Sequence, residues 1–102
     1  MRFIYLIKNA SNDSYKIGIG KNPKKRIKQL QTGNDDELLL IETYQSEIPS
    51  KIEGILHRNY GSLKKRGEWF TLSLVDELEF TERCEQIEKN IQFLRDNGNV
   101  FA

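Results

Sequence analysis

Apolar and polar positions divide the chain into a short series of elements. Residues 2–8 carry Phe3, Ile4, Tyr5, Leu6 and Ile7, β-branched and aromatic types that favour extended chain. A second such run follows at residues 15–19. Between them Asn9-Ala10-Ser11-Asn12-Asp13-Ser14 is a turn-forming cluster, so the two runs are predicted to pair as an antiparallel hairpin. Asn22-Pro23 marks a helix start, an N-cap followed by a proline with no amide hydrogen to leave unpaired. That helix is predicted to reach about Gln31, with Ile27 and Leu30 facing the core, and Gly33-Asn34 stops it. Residues 37–44 hold the unbroken Leu38-Leu39-Leu40-Ile41 run, which predicts a central strand covered on both faces. Pro49 opens a second helix in which Ile52, Ile55, Leu56 and Tyr60 fall at helical spacing before Gly61. Residues 68–71 form a short extended piece. From Leu74 to about Arg95 one long helix is predicted, with Leu78, Cys84, Ile87, Ile91 and Leu94 on its inner face. The class is α+β: a small, largely antiparallel sheet with helices packed over it, in a single domain spanning residues 1–102.

Composition narrows the function. A chain of 102 residues suits one domain, which buries roughly two-thirds of its unfolded surface. An apolar fraction of 37% and a charged fraction of 30% exclude a disordered chain. The longest apolar run is too short to span a membrane, and Lys8 and Asn9 end the N-terminal one too early for a leader. Cys84 is the single cysteine, so no internal disulfide can form, and a reducing cytoplasm is the expected compartment. His57 is the single histidine, which argues against a His/Cys zinc site. Gly18-Ile19-Gly20-Lys21 lacks the remaining residues of a dinucleotide or phosphate loop and is taken as a tight strand-to-helix passage.

The net charge of +1 conceals segregation: residues 1–33 carry +7, 34–57 carry −5, 58–70 carry +3 and 71–102 carry −4. Lys21, Lys24, Lys25 and Lys28, with Lys64, Lys65 and Arg66, become candidate nucleic-acid contacts if the fold brings the two basic blocks together. Otherwise they are the solvated faces of ordinary surface elements.

Five segments then resemble, in order and spacing, the GIY-YIG nuclease superfamily. Phe3-Ile4-Tyr5-Leu6-Ile7-Lys8-Asn9 is similar to the first motif, with Phe3 at its usual glycine. Tyr15-Lys16-Ile17-Gly18 is similar to the second. Asn22-Pro23-Lys24-Lys25-Arg26 resembles the arginine helix, and Ser50 to His57 the glutamate helix. Gly67-Glu68-Trp69-Phe70 matches a tail motif of short phage and bacterial members. The resemblance covers residues 2–72. It implies a three-stranded antiparallel sheet flanked by helices, to which this chain adds a C-terminal helix over about 74–96.

It also implies metal-dependent hydrolysis of a nucleic-acid phosphodiester, with DNA as substrate and Mg²⁺ or Mn²⁺ as cofactor. Tyr5 matches the tyrosine that orients or deprotonates the attacking water, Arg26 the arginine that neutralises the phosphate, and Glu53 the metal-holding carboxylate. Counting from Gly18, the second tyrosine falls at Lys16, and Tyr15 belongs on the opposite face of the strand. Some members carry a lysine in this role, so Lys16 stays a catalytic candidate, as does His57, one turn on from Glu53. A phenol titrates near 10 (about 10) and needs a nearby cation such as Lys16 or Arg26 to act as a base at neutral pH. Each residue also has a structural alternative. Tyr5 could be a core aromatic, Arg26 part of a solvated helix face, and Glu53 the closing residue of a Ser50-x-x-Glu53 capping box. Two rival functions stay open beside the nuclease: a binding module on the same fold that no longer cuts, and a protein-interaction or inhibitor protein in phage–host conflict. Specificity would come from this small body, a homodimer or a partner protein.

Overall fold

The computed structural model describes residues 2–61 and 69–98. Its elements in chain order are β1 (Arg2–Asn9), β2 (Ser14–Gly20), α1 (Pro23–Thr32), β3 (Leu38–Ser46), α2 (Pro49–Asn59), β4 (Trp69–Thr71), α3 (Leu74–Leu78) and α4 (Phe80–Asp96). The strands form one antiparallel sheet in the order β3-β1-β2-β4. The fold is α+β as expected, but the sheet has four strands where the resemblance implied three. The extra one is the short edge strand β4, whose Phe70 and Trp69 pair with Tyr15 and Lys16.

The hairpin forms where the turn cluster predicted it. Asn9 Oδ1 accepts from the Ser11 amide at 2.9 Å, and Asp13 takes a left-handed φ of 53° that its short polar side chain tolerates. Asn22 caps α1, accepting from the Lys25 amide at 3.1 Å, with Pro23 in the first turn.

Two expectations are corrected. The central strand is β1, and β3 lies at the edge with Leu39 38% exposed. The apolar run misled because it serves both faces of an edge strand. Leu38 and Leu40 turn toward α1, and Ile41 turns toward α2 and α4. A bulge opposite Leu6/Ile7 then brings Tyr44 to the same side as Ile41. The C-terminal segment is two helices, α3 and α4, meeting at Glu79. Leu78 is 71% exposed and Leu94 41% exposed, while Phe80, absent from the predicted stripe, is fully buried beside Cys84 and Ile91.

The sheet is covered on both faces. On one, Ile4, Leu6, Tyr15, Ile17 and Phe70 pack under α2 and α4 through Ile52, Leu56, Phe80 and Cys84. Burial, and then the charge of Glu88, push the Cys84 thiol up to about 12, so it stays a neutral core group. On the other face Tyr5, Ile7 and Leu38 pack with Ile27 and Leu30 of α1 and with Trp69. Among the described residues no helix is long and apolar enough to cross a membrane.

Candidate functional site

Strand parity decides which side chains can meet. Tyr5 pairs with Gly18 across the β1–β2 ladder, and Lys16, two residues before Gly18, stands on the same face opposite Ile7. Tyr15 falls on the other face, as the one-residue step requires. There its hydroxyl donates to Glu77 Oε1 at 2.9 Å and its ring lies under Lys8 Nζ, 5.6 Å from the centroid. Burial, and then the bond to Glu77, raise its pKa.

The Tyr5 ring crosses from β1 onto β2 and lies over Gly18. A Cβ at position 18 would collide first with the Tyr5 hydroxyl oxygen, and then with Cζ at 2.5 Å and Cε1 at 2.7 Å, so the missing side chain of Gly18 leaves the room that the end of the ring takes. A Cβ at position 20 would lie 3.8 Å from Tyr5 Cε2, an ordinary van der Waals contact. The glycine pair that the sequence suggested as a strand-to-helix passage is therefore the bed of the tyrosine.

The four tyrosines differ in one respect. Tyr15 is bonded to Glu77, Tyr44 donates to Glu88, and Tyr60 accepts from Arg83 Nη1 at 2.6 Å. Tyr5 makes no hydrogen bond to a described residue, although the residue is only 3% exposed. No buried side-chain nitrogen or oxygen among the described residues lacks a partner, so the exposed sliver of Tyr5 includes its hydroxyl. The ring is core, and the hydroxyl lies over Gly18 at the margin of the buried surface.

Helix α2 supplies the opposing side. Ile48 is its N-cap and Pro49 its first residue, which puts Glu53 in the helix body and removes the capping-box alternative. His57, one turn further on, donates from Nε2 to the Ile17 carbonyl at 3.2 Å and packs edge-on against Phe70 at 5.2 Å between centroids. A carbonyl only accepts, so Nε2 carries the proton and Nδ1 is the remaining nitrogen. Among the described residues β4 pairs with β2 over Ser14–Lys16, and His57 bonds to β2 at the next residue, Ile17. Lys21, at the end of β2, lines a cavity together with Ser50 and Lys51. α2 thus runs past β2 in the opposite direction, and half-buried Glu53 lies between these two contacts. Glu53 and Tyr5 therefore lie on opposite faces of the sheet near the end of β2.

Arg26 is exposed on α1 and shares helical rows with Pro23 and Leu30, at the flank of the face packed on Tyr5. Lys25 and Lys28 point away from that face, and Lys21 and Lys24 are exposed at the β2–α1 junction. Lys64, Lys65 and Arg66, with the Gly67-Glu68 half of the tail motif, lie outside the described residues. Trp69 and Phe70 are core residues, half-buried and 1% exposed respectively. Among the described residues no group of three or more His, Cys, Asp or Glu side chains could hold a metal ion.

A small antiparallel sheet flanked by helices, with a core tyrosine on its central strand and a half-buried glutamate on the helix across the sheet, defines an α+β domain. The chain belongs to the T5orf172 domain family, which matches residues 2–95. This phage-associated domain is related to GIY-YIG and HNH-like nuclease-type domains and points to a nuclease-like or DNA-binding role. No curated protein and no solved structure matches the chain significantly.

Proposed function

We propose that this protein is a metal-dependent endonuclease of GIY-YIG type that hydrolyses DNA phosphodiester bonds. The observation that carries this reading is Tyr5, whose ring is locked over Gly18 while its hydroxyl, unlike those of the other tyrosines, is left to water or a ligand. A buried ring with an open hydroxyl is a rigid pointer, and hydrolysis needs a water held in line with the phosphorus. Tyr5 orients that water. Lys16, on the same face, and Arg26, at the flank of α1, carry the positive charge that a phosphate in transit requires. His57 holds α2 against the β2 edge and so positions Glu53. Glu53 would hold one Mg²⁺ or Mn²⁺ ion, which supplies charge neutralisation at the phosphate when bound. A lone carboxylate fits a hard cation that keeps several waters and takes substrate oxygens as further ligands.

A second reading is favoured by one observation. Lys16 stands where the family's second tyrosine is expected, and Tyr15 is tied to Glu77 on the far face. A domain so altered would bind nucleic acid without cutting it.

Plasmid nicking by the wild type, Glu53→Ala and Tyr5→Phe, with Mg²⁺ or Mn²⁺ and with EDTA, tests both. The expected result is metal-dependent nicking that falls by at least about 10²-fold in each variant while melting temperatures stay unchanged. Full activity in both variants would remove the assigned site. Low-salt DNA binding without nicking would establish the binding module instead.

A further inference from the structure

Away from the Tyr5 site, two adjoining cavities run along the end of the sheet and the α2–α4 seam. The first, about 410 Å³, is lined by the cations Arg2, Lys21, Lys51 and Arg95, with Glu47 as its one carboxylate. The second, also about 410 Å³, shares Ser50 and Lys51 with the first and continues past Ile55 to Arg58, with Ile91 and Leu94 as its opposite wall. It has no acidic lining residue.

Residues 2, 21, 51, 58 and 95 come from the start of β1, the end of β2, both ends of α2 and the end of α4. No helical or strand periodicity puts them on one line, so the track is made by tertiary folding and is not one solvated face. It persists although residues 34–57 and 71–102 carry −5 and −4. Much of the acidity nearby is already engaged: Glu88 accepts from Tyr44 and from Ser46 Oγ at 2.5 Å, and Glu85 pairs with Lys89 at 2.9 Å. Arg2, Lys21 and Arg58 make no ion pair with any described residue. The walls are also fixed. Ser46 Oγ bridges Glu88 to the Ile48 amide at 3.0 Å, tying the end of β3 to α4 and to the entry of α2.

We propose that this track is a binding groove for a nucleic-acid strand, with Arg2, Lys21, Lys51, Arg58 and Arg95 contacting successive phosphates. Ile55 and Leu94 pack against the sugars. Ser50 to Arg58 covers about 12 Å of helix, room for more than one phosphate of an extended strand. The groove runs along α2, the helix that also carries Glu53. This placement rests on the nuclease reading for its direction toward Glu53, but not for phosphate binding itself. Of the basic residues that the sequence put forward, it keeps Lys21, and it sets the main contacts on the side of the sheet away from Lys24, Lys25 and Lys28.

The test is anisotropy of a fluorescein-labelled DNA duplex in EDTA over a salt series. The proteins are the wild type, Lys51→Gln, Arg95→Gln, the double variant and the control Lys89→Gln. All three positions are exposed, and melting curves check that each variant folds. Lys89→Gln is expected to bind within about twofold of wild type, whereas the double variant loses at least about tenfold and flattens the slope of log K against log salt by roughly 1.8. A double variant indistinguishable from wild type, or from Lys89→Gln, overturns the groove. So does a wild type with no affinity at low salt. Plasmid nicking separates the two readings. Metal-dependent cutting with binding untouched by the groove variants removes the groove alone, and groove-dependent binding without cutting removes the nuclease alone.

Discussion

A single contact explains why Tyr5 can be both core and site. The hydroxyl end of its ring occupies the volume that a side chain at Gly18 would need, and the residue is almost wholly buried. Gly18→Ala should therefore cost about 1–3 kcal/mol in urea unfolding, the usual range for overpacking. In a Tyr5→Ala background the same change should cost much less, because the clashing ring is gone. Equal costs in both backgrounds would show that position 18 is not read by the tyrosine. The strand position of Tyr5 and the facing of Lys16 were legible in the sequence, one from the apolar run and the other from strand parity. The free hydroxyl was not. It depends on Glu77, Glu88 and Arg83, which bond the other three tyrosines from distant parts of the chain.

At the scale of elements, helix starts were the most legible features. Asn22-Pro23 and Pro49 act locally, and both open helices where expected. The break at Glu79 was missed because its cause lies in a cluster of polar side chains. Ser73 Oγ accepts from the Asp76 amide at 3.1 Å, and Asp76 Oδ2 accepts from the Ser73 amide at 2.9 Å, a capping box that starts a helix of its own. Arg83, from the first turns of α4, then reaches back to Asp76 Oδ1 at 2.6 Å and to Glu79 at 2.8 Å. Burial works against the Asp76 charge, but Arg83 and the Ser73 bonds outweigh it and hold the pKa below its ordinary value. A depressed folded pKa contributes stability above the unfolded pKa and loses it as pH falls through the folded one. The urea midpoint should thus drop as pH falls below about 4, and Asp76→Asn should be less stable than wild type at neutral pH and flatten the acid slope. An unchanged slope in the variant would assign the acid sensitivity to other carboxylates.

For the whole molecule, the sheet is packed on both faces. Both faces carry their own buried clusters, and no described group of ligands could act as a metal staple. EDTA should accordingly abolish nicking and leave the melting temperature in place. A melting temperature that falls with the activity would mean that an ion contributes to folding, since a ligand that binds only the folded state stabilises it.

What the sequence determined by itself is local. Turn residues, proline starts and the alternation along β1 and β2 set the hairpin, the first two helices and the face on which Tyr5 and Lys16 stand, because each follows from backbone sterics and short-range hydrogen bonds. Only the tertiary structure decided the strand order, the edge position of β3 and the pairing of β4. It alone brought Glu53 near the end of β2 and gathered Arg2, Lys21, Lys51, Arg58 and Arg95 along one track. Those outcomes depend on which faces bury the most apolar surface together, a property of the packed chain that no single segment carries.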